Sequence, residues 1–177
     1  MWQLDSHARK LPLSRISTLA MLPLDKITLL KLLEIANRIS FFNQFSISER
    51  TVVLDGKTRC YLCKDHQHVQ RQGTLDTNFY LVLSGTVEIV DETKNEVLGL
   101  VKPGEFIGEG SFITNSPRSA SARAKGDVIV LCLSQSVVNK LPYSIREKIK
   151  DAIIAGMAKR IVSLNEKVYR IKEGNTP

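Results

Sequence analysis

The chain has 177 residues, 43% of them hydrophobic, with a formal net charge of +7. That length supports one sizeable core rather than two large domains, and no apolar run is long enough to span a membrane. Three cysteines, an odd number, exclude a simple disulfide framework and point to a cytoplasmic protein. The first residues, MWQLDSHARKLPLSRISTLAMLPL, interleave basic and apolar positions and so do not read as a signal peptide. Charge is uneven: six basic residues against three acidic in 1–40, ten against eleven in 41–139, and nine against four in 140–177. The basic ends read as solvated helix faces, with a contact for an acidic partner or nucleic acid as the sharper alternative.

In chain order, a weak helical candidate over about Leu13 to Met21 is broken by Pro23. Leu24 to Ile39 then repeats apolar residues at three- and four-residue spacing and predicts an amphipathic helix with Asp25 near its start. Ser40 to Leu54 carries paired aromatics and a short helix near Ser46 to Leu54. From about Thr58 to Leu133, short strands alternate with Gly, Asp, Asn and Pro, as in an antiparallel barrel or jelly roll. Within it, Phe79 to Val90 reads as two strands pivoting at Ser84-Gly85, followed by a polar turn at Asp91 to Asn95. After Pro142, apolar residues Ile149, Ile153, Met157, Ile161, Leu164, Val168 and Ile171 form one stripe on a helix from about Tyr143 to Lys172. The expected fold class is α+β, an antiparallel β-roll (jelly roll) flanked by N-terminal helices and a long C-terminal helix. The expected division is a helical extension over 1–40, the roll over 41–142 and the last helix over 143–177.

Two constellations suggest metal chemistry. Cys60, Cys63, His66 and His68 offer four zinc-type ligands within RCYLCKDHQH, but on strands meeting at Lys64-Asp65 the two cysteines point to opposite faces. Buried cysteines and exposed histidines are the expectation. His66 and His68 before a strand also faintly suggest a metal-dependent enzyme of the cupin type. No glutamate stands in the expected strand position between His68 and Gly85, however, and His7 lies far outside the roll. No nucleophile elbow, Walker loop or nicotinamide fingerprint is present, so no catalysis, metal or cofactor is expected.

The most informative stretch is Gly104 to Ala122, GEFIGEGSFITNSPRSASA. Gly108 lets backbone approach a ligand closely, and a short helical turn over Gly110 to Asn115 could present free N–H groups to an anion. Arg118, nine residues after Glu109, could neutralise that anion while Glu109 accepts a hydrogen bond from a ribose hydroxyl. A carboxylate for a sugar and a guanidinium for a phosphate describe a nucleotide. Gly108, Glu109, Pro117, Arg118, Ser119 and Ala120 resemble the phosphate-binding cassette of the cyclic nucleotide-binding domain family. The likeness extends over roughly Ser40 to Lys172, and Ala155 to Ile171 resembles the dimer helix of the bacterial catabolite activators.

The resemblance implies a non-enzymatic regulatory module that binds cAMP or cGMP at Gly108, Glu109, Gly110, Ser111, Arg118, Ser119 and Asn165. It further implies a bacterial homodimer paired through the C-terminal helix and a protein partner whose identity the sequence leaves open. Leu164-Asn165 replaces the activators' Thr-Ser pair, and Gly110-Ser111-Phe112 departs from the commoner Leu, small residue, Leu. Base selectivity is therefore not implied, and Gly110 is a candidate N-cap. With only Glu173 to Pro177 after the last helix, sequence-specific DNA binding is not expected, and residues 1–40 are the candidate output surface. An orphan docking module without nucleotide is the alternative.

Overall fold

The computed structural model describes residues 21–55 and 58–172. A seven-stranded antiparallel sheet curls into a roll, with main strand order β1-β2-β7-β4-β5. The strands are β1 (Leu22–Pro23), β2 (Arg59–Cys63), β3 (His68–Gln70), β4 (Phe79–Asp91), β5 (Glu96–Val101), β6 (Phe106–Ile107) and β7 (Ser121–Leu133). β4 and β7, each 13 residues long, form the spine, while β3 pairs with β7 and β6 with β4. This is the β-roll expected from the alternation of strand and turn residues.

The first amphipathic segment is shorter than its periodicity suggests. Helix α1 spans Leu29–Ala36, because Thr28, not Asp25, caps it by accepting a hydrogen bond from the Lys31 N–H, while the Leu24 N–H donates to the Cys60 carbonyl and Leu22–Pro23 before it pair with β2. The candidate helix at Leu13 to Met21 falls, apart from its last residue, outside the described residues. A 3₁₀ helix over Ser40–Gln44 follows, then α2 (Ile47–Leu54), whose Ser46 and Glu49 form a capping box. The 3₁₀ turn buries Phe41 and Phe42, which pack with Phe45 and Phe106.

The expected pivot at Ser84-Gly85 is a correction: β4 runs through it as one strand. Gly85 has φ of +85°, and the register on β7 shifts between Val82 and Ser84 and again between Ser84 and Thr86. Gly85 thus bends a continuous strand where a side chain would collide with the backbone of Asp127 and Val128. The turn at Asp91 to Asn95 does close the β4–β5 hairpin, with Asn95 in the left-handed region.

After β7 come α4 (Gln135–Val138) and α5 (Tyr143–Lys172), the last matching the bounds expected after Pro142. Ile145, Ile149 and Ile153 of α5 are buried against the roll with Phe106, Phe42 and Leu133, in one core cluster shared with α1 and α2. From Ile154 onward α5 leaves that core. Met157, Ile161, Leu164, Val168 and Ile171 are all exposed, Ile161 at 58%. None of the described helices is long and apolar enough to cross a membrane.

Candidate functional site

The site forms where β6 ends and the chain reverses. Gly108 has φ of +82° and caps α3 (Glu109–Thr114), a helix of six residues; Gly110 lies one position inside it, so the cap is Gly108 rather than Gly110. Asn115 closes α3 in the left-handed conformation, and Pro117 leads into Arg118. A Cβ on Gly108 would overlap the Arg118 guanidinium and stand 2.6 Å from Gln70 Oε1, so only glycine permits this packing.

Arg118 is the largest fully buried side chain among the described residues, with no side-chain exposure. Its Nη1 donates to the Gly108 carbonyl at 2.7 Å, and its Nη2 donates to Asp76 Oδ2 at 2.9 Å and to the Asn78 carbonyl. A buried cation demands such partners, because an unpaired one would be strongly destabilising. The loop carrying Asp76 is tied to the cassette by two backbone bonds, Gly73 N–H to the Arg118 carbonyl and Arg118 N–H to the Thr74 carbonyl. Nε of Arg118 is buried without a partner.

Glu109 is also buried, at 5% exposure, and its Oε1 accepts from Arg160 Nη1. Arg160 comes from α5 and donates through Nη2 to the Phe106 carbonyl as well. The helix is thereby fastened to both elements that flank Gly108, β6 and α3.

The structure brings Gly108, Glu109 and Arg118 together, with Ser111 buried beside them on α3. Gly110 and Ser119 are exposed, and Asn165 stands on the exposed outer part of α5. Asp76, Asn78, Gln70 and Arg160 were not singled out from the sequence. Of these, only Arg160 carried a signal, as a charged residue beside the α5 stripe.

Below the cassette, the Ser121 hydroxyl donates to Glu92 Oε1 at 2.7 Å, and His68 Nε2 lies 3.0 Å from the same oxygen. The Ser121 bond is the largest influence holding the Glu92 carboxyl below its ordinary range, and burial is the largest influence lowering the His68 imidazole. His68 is therefore largely enclosed and paired, whereas exposure was expected; His66 is exposed at 79%. Cys60 and Cys63 lie in two separate apolar clusters on opposite faces of β2, so they cannot share an ion. Burial raises their thiols to about 12 and about 11, which keeps them protonated at neutral pH. Among the described residues no cluster of three or more His, Cys, Asp or Glu side chains could hold a metal.

Comparison with known proteins supplies the context for this geometry. The profile of the cyclic nucleotide-binding domain family matches residues 62–142. A cAMP-dependent protein kinase regulatory subunit from Eremothecium gossypii is 32% identical over 104 residues, which cover 58% of this chain and 22% of the relative. The chain spans about a fifth of the length of such curated relatives. A cyclic nucleotide-binding domain from Methylobacillus flagellatus superposes with a TM-score of 0.68 at 24% identity, covering 77% of this chain and 80% of that one. The Thermus thermophilus catabolite activator protein superposes with a TM-score of 0.62 at 25% identity, covering 75% and 62%. The matched segment holds the whole cassette and the spine of the roll, and over residues 62–142 the chain matches the cyclic nucleotide-binding domain family.

Proposed function

We propose that the chain is a regulatory module that binds a cyclic mononucleotide, cAMP in the first instance, and does no chemistry on it. The observation that carries this reading is the buried Arg118 guanidinium, packed on a side-chain-free Gly108 next to the buried carboxylate of Glu109. A cyclic phosphate is a compact monoanion, and Arg118 offers it a cation already desolvated and oriented by Asp76 and Asn78. Glu109 offers an acceptor to the ribose once it yields its Oε1 from Arg160. Gly110, Ser111 and Ser119 complete the cassette around the phosphate.

The Arg160–Glu109 pair gives the module its means of signalling. A ribose hydroxyl and Arg160 compete for one carboxylate, so nucleotide occupancy changes what holds α5 to the roll. The exposed stripe of α5 is the surface that responds. We infer that it pairs with a second copy, which would also carry Asn165 toward a nucleotide base. The β-roll over 41–142 is then the reader, 143–177 the lid and seam, and 1–40 the extension toward a protein partner. A cytoplasmic location suits both an intracellular messenger and three free cysteines.

A second reading has one observation in its favour. The space over Gly108 is filled by the protein's own Arg118 and Gln70 side chains, as in an orphan docking module that needs no nucleotide. Calorimetric titration with cAMP and with cGMP separates the two readings. Saturable binding of cAMP that is lost in Arg118→Ala supports the first, and no heat from either nucleotide supports the second.

A further inference from the structure

The loop between β3 and β4 carries both partners of Arg118 Nη2, Asp76 and Asn78, and its start is held from outside the cassette. The Gln72 N–H donates to Ser121 Oγ at 2.8 Å, which directs the hydroxyl proton to Glu92 Oε1, 2.7 Å away. The Glu92 N–H donates in turn to Gln72 Oε1 at 2.8 Å and closes a ring. Ser121 is fully buried, so a group without its hydroxyl would leave the Gln72 N–H empty. Glu92 opens a hairpin turn whose next residues, Thr93, Lys94 and Asn95, face water, yet its side chain folds back to the start of β7. Residues between 20 and 49 positions apart thus meet in one cyclic set of bonds.

This ring ends where the hold on Arg118 begins. Gly73 and Thr74, directly after Gln72, exchange backbone bonds with Arg118 at 2.8 and 2.9 Å, and Asp76 places its carboxylate on Nη2. Ser121 follows Arg118 by three residues on the other side of the same short pairing. The ring therefore pins both chains of that pairing at one end; without it, the exposed Gly73 and Thr74 would be held to the cassette by their two backbone bonds and by Asp76. A guanidinium already fixed in one orientation loses less freedom on binding than one whose supporting loop is loose. Resting on the cyclic nucleotide reading above, we infer that Gln72, Glu92 and Ser121 are positioning residues: they fix the loop that carries Asp76, and through Asp76 they set the affinity of Arg118 for a cyclic phosphate.

Calorimetry with cAMP and with cGMP on the full chain compares wild type with Glu92→Ala, Glu92→Gln, Asp76→Ala and the variant that combines Glu92→Ala with Asp76→Ala, each checked for folding by thermal unfolding. Glu92→Ala should weaken the nucleotide about fivefold, the effect of losing one charge-assisted hydrogen bond. Glu92→Gln keeps an Oε1 acceptor and the backbone N–H, so affinity should return to within about twofold of wild type. With Asp76→Ala already in place, Glu92→Ala should weaken binding no further, because the route to Arg118 is gone. Amide hydrogen exchange on ligand-free Glu92→Ala reads the loop even where Asp76→Ala does not fold: the Gly73 and Arg118 N–H groups should exchange about tenfold faster, with Val130 and Leu131 of β7 unchanged. Wild-type affinity in Glu92→Ala overturns the inference and leaves the cyclic nucleotide reading intact. So does a loss that Glu92→Gln fails to restore, that persists in full beside Asp76→Ala, or that comes without faster exchange at Gly73 and Arg118. Failure of wild type to bind either nucleotide overturns that reading, and this inference with it.

Discussion

The cassette and the outer half of α5 invert the usual arrangement of side chains in opposite directions. At the cassette, a guanidinium and a carboxylate are buried, Arg118 at 2% and Glu109 at 5% exposure. On α5, large apolar side chains stand in water, Leu164 at 57% and Ile171 at 68%. Buried charges are tolerated only with partners, and an exposed apolar stripe of this length is characteristic of surfaces that another body covers. Under the proposed function the contrast has one meaning: the cassette faces a polar ligand and the α5 stripe an apolar partner. Arg160 joins them, since it lies on α5 and pairs with Glu109.

The sharpest way to break the cassette side is Arg118→Ala. It should cost about 3–5 kcal/mol of stability, because Asp76 and the Gly108 and Asn78 carbonyls lose their shared donor. Urea denaturation measures this, and a loss below about 1 kcal/mol would show that the buried cation does not organise the loop. On the other side, substituting Ile161 and Leu164 together with Asp should convert a dimer to a folded monomer. Light scattering reads the mass, and an unchanged dimer would place the interface elsewhere.

A smaller effect is expected at the link between the regions. Arg160→Met leaves the buried Glu109 carboxylate unpaired and should cost about 1–3 kcal/mol, whereas Glu109→Gln together with Arg160→Met should recover part of it. Additive losses in that double variant would mean that the pair does not couple α5 to the cassette.

The smallest effect concerns His68, which lies outside both regions and so serves as a control on them. Its imidazole is lowered from an ordinary value of 6.5, chiefly by burial. Below 6.5 the unfolded chain takes up a proton that the folded one does not, so this contribution to stability is fully present above 6.5 and is lost as pH falls toward the folded value. His68→Gln should flatten the stability profile in that window while leaving it unchanged at pH 8. An identical slope in the variant would assign the acid sensitivity to other groups.

Much of the fold was legible because local signals and burial agree. The α5 bounds followed from Pro142 and from apolar spacing, and the β4–β5 turn from Asp91 to Asn95. The cassette was legible from glycine, proline and arginine at fixed separations. The Ser84-Gly85 pivot was misread because a glycine with positive φ serves a bend within a strand as well as a turn between strands, and only pairing with β7 distinguishes them. The start of α1 was misplaced because the apolar spacing runs back through Leu24 and Ile27, whereas the Thr28 side chain supplies the cap and the Leu24 N–H is spent on the Cys60 carbonyl of β2.

The amino-acid sequence by itself determined the alternation of strands and turns, the long final helix, and the grouping of Gly108, Glu109 and Arg118, since each depends on residues close along the chain. Tertiary structure alone decided what those groups touch. Asp76 and Asn78 meet Arg118 from 42 and 40 residues away, and Arg160 meets Glu109 from 51. It also decided which part of the α5 stripe is covered: Ile145, Ile149 and Ile153 reach the roll, and the same apolar period beyond them passes its edge into solvent. Periodicity fixes which side of a helix is apolar, but the length of core beneath it fixes how much of that side is buried.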